Sequence, residues 1–303
     1  MKKLLRACRP GFEIVLADVG SAGGLKGRWA PARLVVSAML FEPRDGGEPR
    51  REGRDMLYPF ALGPEPGRAT LNLTALPNMS STLQPNAELL DGFRKKGAHT
   101  AVTGTIEMPV DTLDAIAARE GRHVDAIKVD TQGSELGILE GARSCLSRSI
   151  LIAEIEVSFF ERYRGQALFR DIEAFMSGFG FELIDLYRLK RYRRLNSSGV
   201  GNISLGAGQR AGRLAYGDAF FMLGEDRLLE RIAAGGEDAA MKAIISLLVY
   251  GKADIAASVF DRSADRFDPK RREAVGGYLR SLGRQAVRRN SLHHLIDYIA
   301  RNV

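Results

Sequence analysis

Ile14-Val15-Leu16-Ala17-Asp18-Val19-Gly20-Ser21-Ala22-Gly23-Gly24, the stretch IVLADVGSAGG, decides how the rest of the chain is read. Its first half is a short apolar run, suited to a strand covered on both faces of a parallel sheet. Asp18 interrupts that run near its carboxyl end, where an open α/β sheet places its ligand crevice. Gly20, Gly23 and Gly24 then permit positive φ and close approach of the backbone to a ligand. An acid followed by G-x-x-G-G suits a turn gripping an adenosyl cofactor. A phosphate loop would need Lys-Ser/Thr after its glycines, and here Leu25 and Lys26 follow. The G-x-G-x-x-G spacing of a nicotinamide site is also missing. The plain alternative is a strand and a glycine turn that bind nothing.

Working outward, Leu34 to Phe41 is a second apolar run, and Glu42 stands at its tip, 19 positions after Gly23. In nucleoside-binding sheets an acid about 20 residues past the glycine turn holds the ribose hydroxyls. Residues 44–57 are polar and rich in glycine, so the next crossover is expected to be short or irregular. Tyr58 to Leu62 reads as a third strand, residues 67–73 as another, and residues 76–86 as a polar loop of the kind that lies over a site. Residues 100–109 read as a strand, followed by a helix capped by Asp111 or Thr112 and ended by Gly121.

The second informative block is Val124 to Glu135, VDAIKVDTQGSE. Ala126 to Val129 is a strand with Asp130 at its carboxyl end, as Asp18 is on its own strand. A helix from Glu135 to Ala142 follows. Ile150 to Val157 is the next strand, with Glu154 and Glu156 near its end. Residues 159–180 read as an amphipathic helix with Phe169 and Ile172 on one face. Phe181 to Leu189 and Ala215 to Leu223 read as paired strands forming an antiparallel edge. From residue 225 onward apolar positions recur at helical spacing, so the division expected is residues 1–224 and a helical extension, 225–303.

The chain has 303 residues, 45% of them hydrophobic, enough for a large core. Cys8 and Cys145 are far apart and show no metal spacing, which points to a reducing, cytoplasmic setting. His99, His123, His293 and His294 form no ligand pair at i, i+4. No apolar run reaches the roughly 7–15 residues of a secretory signal, which Arg6 and Arg9 interrupt, or the about 18 of a membrane span. The net charge of +7, with pI ≈ 9.5, favours anionic partners. Dispersed basic residues and the lack of an aromatic-interleaved motif argue against nucleic acid. The densest basic run, RLKRYRR at 188–194, reads as a solvated hairpin loop or as a contact for an acidic saccharide or lipid-linked headgroup. Peripheral membrane contact and self-association stay open.

The ordered set DVGSAGG, FEP, YPFALG, VDTLD, IKVDTQGSELGILEGA, AEIEV with YRGQ, and GFELIDL with GDAFFML resembles the FkbM family of S-adenosylmethionine-dependent methyltransferases, over roughly residues 14–223. The resemblance implies an α/β fold with a Rossmann-like class I methyltransferase sheet, mostly parallel with an antiparallel last strand. It implies O-methylation, often of a sugar hydroxyl in a saccharide or glycoconjugate. By position, Asp18, Gly20, Ser21 and Gly23 would hold the methionine half of the cofactor and Glu42 the ribose. Ala61 and Leu62 would lie near the adenine, and Asp130 beside the sulfonium and the acceptor. Ala22 departs from the Asn usual in the family, and the shortened region between Glu42 and Phe60 leaves the adenine side more open.

Such a transfer needs the acceptor oxygen within about 3–3.5 Å of the methyl carbon and a base to take the hydroxyl proton. Asp130 is the first candidate, with Glu154 or Glu156 next; a helix N-cap is the structural alternative for Asp130. Gln132 and Glu135 could hydrogen-bond the acceptor or cap their own turn. Tyr163, Arg164 and Gln166 could line the acceptor side or lie on a surface helix. No metal ligand set is readable, so none is expected. A protein that keeps the cofactor pocket without catalysis is the competing reading.

Overall fold

The computed structural model describes residues 1–21, 24–25, 27–201 and 211–284. The expectations for Ala22, Gly23, His293 and His294, and for the helical extension past residue 284, lie outside the described residues.

In chain order, α1 (Lys2–Leu5) precedes β1 (Ile14–Val19), and a 3-10 turn at Gly27–Ala32 leads to β2 (Val36–Phe41). Every residue of both strands is buried, which explains why each is apolar but for one residue, Asp18 in β1 and Ser37 in β2. Next come β3 (Arg50–Glu52), β4 (Asp55–Tyr58), β5 (Ala61–Leu62) and β6 (Gly67–Thr74). Two short helices, α2 (Ala87–Leu90) and α3 (Lys96–Thr100), stand before β7 (Val102–Asp111). In α4 (Leu113–Arg119) the Thr112 side chain accepts the Ala115 amide and so caps the helix. β8 (Ala126–Val129), α5 (Glu135–Glu140), α6 (Arg143–Arg148) and β9 (Ile152–Ser158) follow. The core of this half closes with α7 (Phe169–Gly178), β10 (Phe181–Tyr192) and β11 (Arg213–Leu223). Last are α8 (Glu225–Val249), which breaks at Gly236 where φ is +65°, and α9 (Ala253–Ser263).

The main sheet has eight strands in the order β10-β11-β9-β8-β1-β2-β4-β3. β1 with β8, β8 with β9 and β2 with β4 are parallel. β11 is antiparallel to both β9 and β10, so the last strand inserts inside the sheet and β10 forms the edge. The α/β fold is therefore the mostly parallel sheet with an antiparallel last strand. β5, β7 and β6 form a separate three-stranded sheet.

Two expectations change. The third strand is not Tyr58 to Leu62: β4 ends at Tyr58, and Ala61–Leu62 belongs to the other sheet. Pro59 has no N–H to extend the ladder, so the chain changes sheets there. The helix expected over 159–180 begins only at Phe169. Gly165 takes φ +74° in the preceding loop, and Arg162 and Tyr163 are buried there.

The chain divides into two compact units. One holds Val15–Leu25 and Ser37–Gly224. The other gathers Met1–Ile14 and Lys26–Val36 with the helices from Glu225 on. Within the second unit Trp29 packs edge-on to Tyr250 at 5.9 Å, and Leu228, Ile232, Met241, Ile244 and Val259 are buried.

A charged cluster at the strand ends

Register decides which side chains meet. Asp18 aligns with Lys128 across β1 and β8, Lys128 with Glu154 across β8 and β9, and Glu156 with Asp218 across β9 and β11. Partners in register project to the same face, so four strands set a row of charges on one side of the sheet near its carboxyl edge.

Lys128 is the hub. Its Nζ lies 3.4 Å from Asp18 Oδ1 and 3.5 Å from Asp130 Oδ2, with the lysine and Asp18 essentially inaccessible to solvent. Burial works against its charge, but Asp18, then Asp130 and Glu154, outweigh that and raise its pKa. Sequence reasoning passed over Lys128. The available signal was a lone cation in an otherwise apolar four-residue strand, between two aspartates at strand ends.

Asp130 keeps 28% of its side-chain surface, against 0% for Asp18. Glu154 and Glu156 are buried, at 4% and 6%. Gln132 sits at φ +62° and its Nε2 donates to Asp130 Oδ1 at 3.2 Å and to both Glu156 oxygens at 3.0 and 3.1 Å. Its Oε1 accepts from Arg162 Nη1 at 3.3 Å and lies 3.4 Å from Tyr163 Oη, whose one proton goes to Met79 O. Arg162 is fully buried; it also binds Glu156 through Nη2 and Ser158 Oγ through Nε at 3.0 Å. Burial pushes the Glu156 carboxyl up to about 8, against the pull of Arg162. Asp218 rises to about 6, through burial first and then Glu154 and Asp130. The structure thus brings Asp130, Gln132, Glu156 and Arg162 into one hydrogen-bonded set, with Tyr163 packed beside it. Arg162 gave no sequence signal, because a buried arginine looks like a surface one in a hydropathy pattern.

Glu135 is placed differently. Its carboxylate accepts the Gly133 amide at 2.9 and 3.0 Å and the Thr131 amide at 3.1 Å, which gives both oxygens to its own turn. Gln166 serves the loop, its Oε1 accepting the Arg162 amide at 3.2 Å. The exposed Arg164 donates its backbone amide to Gln84 O at 2.8 Å. The polar loop over 76–86 does reach the cluster: Ser81 Oγ donates to Gln132 O at 2.7 Å and Tyr163 Oη to Met79 O at 2.8 Å.

On the other side of β1, Gly20 takes φ +80°, and a Cβ there would lie 2.1 Å from Asp130 O. Only glycine allows the two strand ends to approach this closely. The Gly20 and Ser21 amides both donate to Phe41 O, at 3.0 and 3.2 Å, which ties the turn to the strand end carrying Glu42. Glu42 is buried; Oε1 accepts the Arg44 amide at 3.1 Å and Nε at 2.7 Å, and Oε2 accepts Nη2 at 2.8 Å. A carboxylate has about four acceptor sites, so with its partners among the described residues roughly one remains, on Oε2. Leu62 is buried and Ala61 half-buried; both line a cavity of about 460 Å³ with Gly133, Ser134 and Gly137. No group of three or more metal-binding side chains occurs among the described residues. No helix among them is long and apolar enough to cross a membrane.

Residues 28–183, just over half of the chain, match the family described as the methyltransferase FkbM domain. A methyltransferase FkbM from Methylobacillus flagellatus is similar at 13% identity and a TM-score of 0.34, over 70% of this chain but only 43% of that one. A candidate tRNA methyltransferase from Streptococcus pneumoniae aligns over 93% of this chain and 96% of its own, at 12% identity and a TM-score of 0.27. Those low scores carry no argument, and no curated protein matches significantly. The weight rests on the domain match.

Proposed function

The chain belongs to the FkbM methyltransferase family, and from that premise we propose that it methylates a hydroxyl of a saccharide or glycosylated acceptor in the cytoplasm, with Asp130 as the base. Methyltransferases of this family generally use S-adenosylmethionine. The donor set suits that cofactor. The strand ends carry Asp18, Glu42, Asp130 and Glu154 against Lys128, Arg162 and the Arg44 that pairs with Glu42, while Glu156, with its pKa raised to about 8, is mostly neutral at pH 7. An excess of carboxylates favours a molecule bearing sulfonium and ammonium charges over one bearing phosphates. Gly20, Ser21 and Gly23 would hold its methionine half, with the wholly buried Asp18 backing that turn beside Lys128. Glu42 would hold its ribose through the remaining Oε2 site, and Ala61 with Leu62 its adenine. When bound, S-adenosylmethionine supplies an electrophilic methyl group whose leaving group needs no acid.

The chain's own residues must then orient a hydroxyl and accept its proton. The observation that carries the reading is the partly open Asp130 carboxylate at the lip of a buried network. Lys128 lies behind Oδ2, and Gln132 holds Oδ1, which fixes the carboxylate before any acceptor arrives. Gln132 is next to it to hydrogen-bond the acceptor, the buried Tyr163 packs behind Gln132 with its hydroxyl on Met79 O, and Glu154 lies one strand away. Glu135, satisfied by its own turn, supports the backbone from which Gln132 projects.

Calorimetry with S-adenosylmethionine, followed by turnover in a cell extract, tests the reading. Tight binding with a methylated glycan as product is expected. Binding without any acceptor would instead favour a cofactor-binding protein lacking catalysis, and no binding would remove the assignment.

A further inference from the structure

Two basic segments distant in sequence are joined edge to edge. The Arg94 amide donates to Arg193 O at 2.9 Å, the Leu195 amide to Gly92 O at 3.0 Å, and Phe93 and Arg194 form an antiparallel bridge. The RKK of residues 94–96 thereby lies beside the RLKRYRR of residues 188–194. Arg94, Lys95, Lys190, Arg191, Arg193 and Arg194 are all exposed. Arg188 of that run pairs with Asp218 at 3.4 Å, and no Asp or Glu occurs in sequence between Asp185 and Asp218.

These charges stand on a platform. Phe93, Phe160 and Tyr192 form a buried aromatic cluster, at 1%, 3% and 2% exposure. The Arg194 guanidinium lies 4.8 Å from the Phe93 ring centre, Lys96 Nζ 4.4 Å from Tyr192 and the Arg213 guanidinium 4.3 Å from Phe160. Cation–π contacts therefore fix the cations above the rings. The same contacts cover the rings, so they cannot stack nucleobases as single-stranded nucleic acid requires.

The hairpin also presents aliphatic groups. Leu195 is 60% and Val200 54% exposed. The Asn196 side chain folds the turn between them, accepting the Val200 amide at 3.0 Å and donating to Val200 O at 2.7 Å. A soluble polyanion would leave both side chains in water. A bilayer offers headgroup charge to the arginines and hydrocarbon to Leu195 and Val200.

We propose that this surface seats the protein on a membrane of anionic lipid, the cations among the headgroups and Leu195 and Val200 below them. The proposal does not depend on the chemistry assigned to Asp130. Each cation near an anionic surface strengthens partitioning about five-fold.

The test is flotation of the full chain with vesicles of phosphatidylcholine alone, and of phosphatidylcholine with an equal part of phosphatidylglycerol. One variant combines Arg94→Gln, Lys190→Gln and Arg193→Gln; another combines Leu195→Ser and Val200→Ser. All five positions are exposed, and an unchanged melting curve shows that each variant folds. The wild type should float only with the anionic vesicles, weakening as salt rises. The first variant should lose about 100-fold in partitioning, and the second should bind vesicles more weakly while holding heparin as well as the wild type does. No flotation, equal flotation with both vesicles, or flotation that either variant leaves unchanged would overturn the proposal. Retention on single-stranded RNA without flotation would overturn it in favour of nucleic acid.

Discussion

Gly20→Ala is the substitution whose outcome the geometry fixes most closely. The new Cβ would lie 2.1 Å from Asp130 O, 3.0 Å from Asp130 C and 3.5 Å from Thr131 Cγ2. Ordinary contact between such atoms needs more than about 1 Å extra. The obstacle is backbone, held by the Asp130 amide donating to Val19 O at 3.0 Å, so no side chain can turn aside. Left-handed backbone costs a non-glycine residue about 1–2 kcal/mol, and overpacking about 1–3 kcal/mol more. Together they give about 2–5 kcal/mol, a fall in Tm of about 5–15 °C for a domain of this size. A displacement of about 1 Å at the end of β8 also moves Asp130 and should lower turnover by about 100-fold. Scanning calorimetry and a methyl-transfer assay read the two effects. Gly67→Ala is the control, because nothing lies within 4 Å of its Cβ position; its Tm should stay within about 2 °C of wild type. A Gly20→Ala protein with wild-type Tm and turnover would refute the close approach and what is built on it.

Other expectations follow from the charged cluster. Asp130→Asn should leave S-adenosylmethionine affinity within about three-fold while turnover falls by about 100-fold or more; equal turnover would take Asp130 out of the base role. Lys128→Met leaves the wholly buried Asp18 without its countercharge and should lower stability by about 3–5 kcal/mol, which denaturant titration measures, with Asp18→Asn in the same chain restoring part of it. Glu156 titrates at about 8 in the folded protein against an ordinary 4.5, so the fold binds its proton more tightly than the unfolded chain does. That stabilisation is complete below 4.5 and lost as pH rises to about 8, so Tm should fall over this window in the wild type and less in Glu156→Gln.

The legible parts of the fold share one physical property. β1, β2 and β8 are buried along their whole length, so each wrote an apolar run broken by one polar residue, and the equally buried β9 kept Ile152, Ala153, Ile155 and Val157 around its two glutamates. β3 is wholly exposed and β4 carries Asp55 among apolar residues, so neither announced itself. The Asp55 side chain is buried because it accepts the Ala38 amide at 2.8 Å, a contact from another strand that local sequence cannot reveal. Asp18, Glu42 and Asp130 were visible as acids at strand tips. The network that holds Asp130 was not, because it depends on a buried arginine in a loop whose spacing imitates a helix. Gly165 was the missed warning: its left-handed φ ends any helix through YRGQ.

Isothermal titration of the full chain with S-adenosylmethionine, followed by transfer of its labelled methyl group to saccharide-containing extract, tests the central claim most directly. Binding of one cofactor per chain, with label appearing as a methyl ether on a glycan and lost in Asp130→Asn, is the predicted result. Absence of cofactor binding, or label appearing on nitrogen or carbon instead of oxygen, would contradict it.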